Sequence, residues 1–267
     1  MPAAVITGGA GFIGSHVAER FLREGWTVHV IDNLVTGKRE NVPPGARLHE
    51  LDIRDPAAVE VVGSTVPAAL VHLAAQMDVR RSVEDPMYDA SVNILGTLNL
   101  AEAIRKHTPR TRFVLASTGG ALYGDNTTPP NFEDFKKDPE SPYVASKLSA
   151  ELYLAYYGRV HKLDTVAMRF GNVYGPRQDP HGEAGVVAIF SGRILGSAAD
   201  DLRRRHPDAR LRVRRRCRRS ALVRRDQIAA ADRTARRARL QRRHGNRHVG
   251  DRAGEDPHRG GRQPGAD

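Results

Sequence analysis

The chain has 267 residues, a formal net charge of +11 and a single cysteine. That length allows one large domain or two small ones with a real core, and the lone Cys217 excludes an internal disulfide framework and a cysteine-built metal site. No basic segment leads into an apolar run at the N-terminus, and no stretch approaches the ~20 apolar residues of a membrane span, so a soluble, cytoplasmic chain without metal or membrane partner is expected.

The first strand candidate, Val5 to Thr7, hands over to Thr7-Gly8-Gly9-Ala10-Gly11-Phe12-Ile13-Gly14. Phe12 to Leu22 then follow at helical spacing, and Val28 to Ile31 form a second short apolar strand, which completes a β-α-β unit. In that setting the glycines carry meaning: Gly8 permits a tight turn, Gly11 lets backbone approach a pyrophosphate, and Gly14 allows close helix packing. The helix opening at Phe12 and Ile13 offers free N–H groups and a positive dipole end to phosphates. A glycine-rich turn without a ligand is the bland alternative, and a lone match carries little weight. The second strand, however, ends in Ile31-Asp32, where a carboxylate would accept hydrogen bonds from adenosine ribose hydroxyls and repel a 2′-phosphate. NAD is therefore chosen over NADP, against the pull of nearby Lys38 and Arg39.

Further strand candidates are Leu48 to Leu51, Leu70 to Leu73, Phe113 to Ala116 and Thr165 to Arg169, with helical patterns at Val92–Lys106 and Tyr143–His161. Asp52-Ile53 after the third strand would flank the adenine, and Leu73-Ala74-Ala75 suits close passage of a dinucleotide. Either alone reads better as a strand end than as a site, and their order along the chain is what raises them. The alternation predicts an α/β fold: a Rossmann-type, doubly wound parallel sheet with helices on both faces. Tyr143 and Lys147 stand four apart and share a helix face, so the ammonium can lower the phenol's pKa and let it act as a base near neutral pH. Such a pair is common by chance. The glycine fingerprint upstream, and Ser117-Thr118 ending an apolar strand, raise its significance.

Composition changes sharply near the end of this pattern. Residues 194–267 hold 22 Arg against 9 Asp and Glu, a net of +13, while residues 1–193 carry 20 Lys and Arg against 22 acids. The expected organisation is a catalytic NAD-binding domain over 1–193 and an Arg-rich, disordered tail over 194–267, because the tail lacks Lys, Phe, Tyr, Trp and Met and shows no apolar stripe. A nucleic-acid arm would interleave basic residues with aromatics or lysines. The tail has neither, so that partner is disfavoured, and a shifted reading frame is the competing account.

The Gly8–Gly14 turn, Asp32-Asn33-Leu34, His72-Leu73-Ala74-Ala75, the Tyr143/Lys147 pair and Arg169-Phe170-Gly171-Asn172-Val173-Tyr174-Gly175-Pro176-Arg177 together resemble the extended short-chain dehydrogenase/reductases. Within them the likeness is to the NAD-dependent epimerase/dehydratase group, nearest the UDP-glucose 4-epimerase-like enzymes, over about residues 3–193. The resemblance implies that Tyr143 takes the proton of a sugar 4-hydroxyl while hydride passes to NAD, and that the keto sugar turns over before hydride returns. It implies that Lys147 holds the nicotinamide ribose, that Asn93 supports this region, and that Asn172 contacts the diphosphate of a UDP-hexose. Asn33, Gly37, Ser117 and Val173 join the expected cofactor contacts, and a homodimer is a possible assembly.

One departure concerns the catalytic hydroxyl. Many relatives place it four positions before the Tyr of a Tyr-Gly pair, which here is Gly119 ahead of Tyr123, so Thr118 or Ser117 must supply it, with Thr118 preferred. Dehydratases of this group need an acid pair just after that position, where this chain has Gly119 and Gly120. The expected activity is thus a nucleotide-sugar 4-epimerase, inactive if the chain lacks its substrate lobe. A related dehydratase or decarboxylase is the enzymatic alternative, and an NAD-binding fragment with a basic tail the non-enzymatic one.

Running the codon table backwards sharpens the reading-frame account. Pairing the last two bases of each codon with the first of the next lets Leu202 to Cys217 spell FGDGTRTRDYVYVDDV, and Leu240 to Gly250 spell FNVGTGTGTSV. Both blocks resemble the group's C-terminal motifs and both use one register. A net one-base insertion or two-base deletion near residues 194–199 is the expectation.

Overall fold

A computed structural model describes residues 1–125, 127, 130–179 and 187–195. These lie within the unit Met1–Asp200. The expectations for the tail therefore fall outside the described residues beyond residue 195, and residues 187–195 are helical.

In chain order the elements are β1 (Ala3–Thr7), α1 (Phe12–Arg23), β2 (Thr27–Asp32), β3 (Arg47–Glu50), α2 (Pro56–Thr65), β4 (Ala69–His72), α3 (Val79–Glu84) and α4 (Pro86–Ala90). A π-helical turn at Ser91–Leu95 then leads into α5 (Gly96–His107), β5 (Arg112–Thr118), α6 (Pro142–Val160) and β6 (Thr165–Phe170). The strands pair in the order β3-β2-β1-β4-β5-β6, every pair parallel. The chain winds outward from β1 to one edge and then from β4 to the other, the doubly wound topology whose crevice opens between β1 and β4.

Both faces of the sheet are covered, as near-continuous apolar strands require. Ile6, Val28 and Val30 pack with Ala18, Val17 and Phe21 of α1 on one face. Val5, Ile31, Leu70, Phe113 and Leu115 pack on the other with Val62 of α2, Leu100 and Ile104 of α5, and Leu154 and Tyr157 of α6. Register then aligns the carboxyl ends: Thr7 lies beside Ile31 and His72, Asp32 beside Glu50, and Thr118 beside Phe170.

The six predicted strands all form. The single helix predicted over Val92–Lys106 is interrupted, because residues 91–95 take the wider π geometry before α5 begins at Gly96. That turn inserts one residue and changes which side chains face the core. At α6 the sequence is explicit: Ser141 caps the first turn by accepting from Val144 N at 3.3 Å, and Pro142 sits where a missing N–H costs nothing.

Candidate active site

The glycine turn is shaped by the end of β4. Gly8 has φ +71°, and a Cβ there would stand 2.6 Å from Ala74 N, so the position needs both left-handed backbone and no side chain. A Cβ on Gly14 would lie 2.1 Å from Gly8 O, so α1 can start only if this residue is bare. The helix therefore presents its first N–H groups to the crevice with Gly11 as N-cap and Phe12 and Ile13 half-buried behind it.

Asp32, at the end of β2, is buried and tied to backbone. Oδ2 accepts from Ala10 N at 2.9 Å and Oδ1 from Leu34 N at 2.9 Å. Each carboxylate oxygen keeps capacity for a further donor. Gly37 packs directly on this carboxylate. Asn33 donates to Asp52 Oδ2 at 3.0 Å, and Arg54 grips the same carboxylate through Nε and Nη2, both at 2.8 Å. The Arg54 bonds hold the Asp52 carboxyl down to about 2, against desolvation. Asp52 thus joins β3's exit to Asn33, while Ile53 is buried in the core against Gly96.

Beyond β4, Leu73 N and Ala74 N each donate to Thr7 Oγ1 at 3.2 Å, while Ala75 continues half-buried. His72 lies beneath them, fully buried between Thr7 Oγ1 (2.7 Å from Nδ1) and Thr97 Oγ1 (3.0 Å from Nε2). Thr97 already donates to Asn93 O at 2.6 Å, so it must accept from His72 Nε2–H. Nδ1 then accepts the Thr7 hydroxyl proton, which fixes one neutral tautomer. Burial, with Lys147 as a secondary repulsive charge, pushes His72 down to about 3.

Asn93, on the π turn, connects three elements. Its Nδ2 donates to Gln76 O (2.9 Å), Asp89 Oδ1 (3.0 Å) and Ser146 Oγ (3.1 Å), and its Oδ1 accepts from Gln76 N (2.9 Å). Asn93 thus links the β4 exit, α4 and α6. Its partners Gln76 and Asp89 carry no motif in the sequence, although Asp89 stands one turn before Asn93.

Tyr143 and Lys147 lie one turn apart on α6, with Tyr143 packed against the cluster of Leu122, Tyr123 and Val144. Lys147 is 4% exposed, and burial brings its ammonium down to about 8 while Asp89 and Glu151 pull upward. Glu151 is held by Arg169 through contacts of 2.7, 3.1 and 3.2 Å. Ser117 Oγ is buried without a hydrogen-bond partner among the described residues, and Thr118 follows it half-buried. At Gly119 a Cβ would meet Phe170 O at 3.1 Å and Arg169 O at 3.2 Å, so β6 crowds this position. Asn172 and Val173 are exposed in the segment after β6, which Arg177 fastens to α1 through Glu19 (2.8 Å) and His16 (2.6 Å).

The dinucleotide tests well against this shape. The bare Gly8 and Gly14 let the turn close onto β4 and α1 start at once, so that its first N–H groups stay free for a pyrophosphate, Asp32 retains lone pairs, and the unpartnered Ser117 hydroxyl is a buried polar group a cofactor would satisfy.

Comparison with known proteins agrees with this layout. The sequence matches the NAD dependent epimerase/dehydratase family over residues 4–239. It is 44% identical over 196 residues to a UDP-glucose 4-epimerase of Mycolicibacterium smegmatis, an alignment covering 72% of this chain and 62% of that protein. The UDP-glucose 4-epimerase of Thermus thermophilus, solved with NAD, is 51% identical with a TM-score of 0.68, covering 73% of this chain and 63% of that one. That of Thermotoga maritima, solved with UDP-glucose, is 45% identical with a TM-score of 0.69, covering 72% and 63%. The chain thus spans less than two thirds of the length of these relatives. The family match runs to residue 239 and so includes part of the arginine-rich segment. With the glycine turn, the acidic end of β2 and the Tyr143/Lys147 helix in the expected places of one sheet, the chain belongs to the NAD dependent epimerase/dehydratase family.

Proposed function

We propose that residues 1–193 form the NAD-binding and catalytic domain of a nucleotide-sugar 4-epimerase acting on a UDP-hexose. The observation that carries this reading is the Tyr143/Lys147 pair on α6 combined with Gly119-Gly120 at the end of β5, where a dehydratase would need acids. NAD, when bound, accepts a hydride from the sugar and returns it. The Gly8–Gly14 turn would hold its pyrophosphate and Asp32 its adenosine ribose, with Asn33, Gly37, Asp52, Ile53, Leu73, Ala74, Ala75, Asn93 and Val173 as further contacts. Ser117 and Lys147 would hold the nicotinamide end. Tyr143 removes the 4-hydroxyl proton and later gives it back, and Lys147, still mostly charged at neutral pH, stabilises the phenolate. Thr118 hydrogen-bonds the sugar and Asn172 the diphosphate.

The cell compartment under this reading is the cytoplasm; no helix among the described residues is long and apolar enough to cross a membrane. Leu152, Tyr156 and Val160 stand exposed at four-residue steps along α6, which supports a homodimer through that face. The chain spans less than two thirds of its relatives' length, so sugar turnover is expected of a chain in which a substrate lobe read from the other register is restored. The cofactor half is testable directly. NAD should raise the melting temperature of the chain as it stands, because binding to the native state alone stabilises it. The lobe-restored enzyme should interconvert UDP-galactose and UDP-glucose. Stabilisation by NADP but not NAD, or release of water from the sugar without epimerisation, would refute the assignment.

A further inference from the structure

Four titratable side chains surround the buried ammonium of Lys147: Tyr143 and Glu151 one turn either side on α6, His72 at the end of β4, and Asp89 of α4, which accepts at 3.0 Å from the same Asn93 amide that meets Ser146 Oγ, beside Lys147, at 3.1 Å. His72 is neutral, fixed between its two threonines. Glu151 is engaged by Arg169, whose guanidinium meets both of its oxygens. Asp89 remains. Its side chain is 1% exposed, and Oδ1 accepts from Gln76 Nε2 at 3.1 Å and Asn93 Nδ2 at 3.0 Å. Oδ2 is buried with no hydrogen-bond partner among the described residues. A carboxylate oxygen left bare in the interior is costly unless a cation shares its cavity. Lys147 is a buried cation with no hydrogen-bonded acid among the described residues.

We propose that Asp89 is the buried counter-charge of Lys147, a positioning residue that keeps the lysine an ammonium and, through Gln76 and Asn93, locks the β4 exit and the π turn against α6. The pairing has its catalytic meaning only if Lys147 serves the reaction proposed above. The charge coupling itself stands apart from any turnover. It also accounts for the polarity of the cluster: Asn93 alone could join the three elements through neutral bonds, whereas Asp89 adds a buried negative charge to them.

The test uses the full chain with lysine labelled by 13C at Cε, the Lys147 signal being identified by its loss in Lys147→Arg. Asp89→Asn keeps the shape and removes the charge. The Lys147 signal should then titrate about one pH unit lower than in the unchanged protein, whereas Asp89→Glu should restore most of the shift. Identical midpoints in the unchanged protein and in folded Asp89→Asn overturn the proposal. If Asp89→Asn does not fold, thermal melting decides. Lys147→Met leaves Asp89 without its cation, so the double variant Lys147→Met/Asp89→Asn should melt above Lys147→Met alone. A double variant that melts lower still, or fails to fold where Lys147→Met folds, overturns the pairing. No sugar or cofactor is present in either measurement, so failure of the epimerase reading would leave these results unchanged.

Discussion

His72 sits where no water reaches, and its neutral form is written into the bonds around it: one threonine needs its ring proton and the other supplies one. In the unfolded chain the same ring takes a proton near its ordinary value of 6.5, while in the folded chain it resists down to about 3. Between those limits the unfolded state binds more protons, so stability falls as pH drops through the window. Replacing His72 by Asn removes the titration along with the two bonds. At pH 7 the variant should be less stable by about 1–3 kcal/mol, and its melting temperature should fall less steeply from pH 6.5 to 3 than that of the unchanged protein. His29 and His49, also depressed by burial, keep their share of the slope. An unaltered slope in calorimetry would show that His72 is not the residue being titrated. Tyr143 allows a complementary substitution. In the lobe-restored enzyme Tyr143→Phe keeps the ring and loses the acid/base oxygen, so turnover should fall about 10²–10⁴-fold with NAD affinity nearly unchanged. Asp32→Ala should do the reverse, weakening NAD more than it slows bound substrate. Near-normal epimerisation in the first variant, or undiminished NAD affinity in the second, would remove that residue from its role.

At the scale of elements, what the sequence reveals depends on whether the constraint is local. The β1-turn-α1 unit is legible because apolar period, glycines and the acidic strand end lie within 30 residues and answer to one geometry. The π turn is not legible: Val92 to Lys106 reads as one amphipathic run, and only the demand that Asn93 reach Gln76, Asp89 and Ser146 together reveals why the helix widens. Polar residues such as Gln76 and Asp89 look like solvent-facing positions until the fold buries them. Short helices α3 and α4, of six and five residues, are likewise too brief to show a period, although Asp78 and Asp85 cap them. The glycine turn can be tested against a control in the same chain. Gly8 and Gly25 both have left-handed backbone, but a Cβ meets backbone at 2.6 Å in one case and open space in the other. Gly25→Ala should therefore cost about 1–2 kcal/mol from conformation alone, and Gly8→Ala about 2–4 kcal/mol, with loss of NAD binding, because overpacking adds to it. Equal melting temperatures for the two variants would mean that β4 does not shape the turn.

For the whole molecule the question is why an ordinary enzyme domain should continue into an arginine-rich segment. Residues 1–193 have nearly balanced charge, and the excess of +13 sits in 194–267. The chain falls short of its relatives' length, and its last described elements carry exposed apolar side chains: Val166 and Met168 on β6, then Phe190, Ile194 and Leu195 on the helical residues 187–195. A packed second lobe would cover a surface of this kind. We infer that such a lobe is encoded in another register, entered near residues 194–199. Codon degeneracy gives freedom to find patterns, so a single recovered motif could be chance. Two recoveries in one register, Leu202 to Cys217 and Leu240 to Gly250, separated by a plausible distance, are much harder to obtain that way. The inference also constrains individual codons. For the first block to read through its two tyrosines, the codons of Leu211 and Val213 must both end in A, an unusual choice in the GC-rich DNA that all-arginine basicity implies. Sequencing the encoding DNA should find those two bases, and an open alternative frame through the second block. A chain rebuilt in that frame should then gain a trypsin-resistant second lobe. Stop codons in the shifted frame, codons for Leu211 and Val213 ending in other bases, or trypsin resistance of residues 200–260 as they stand would defeat the idea and leave the arginine-rich segment as a selected part of the protein.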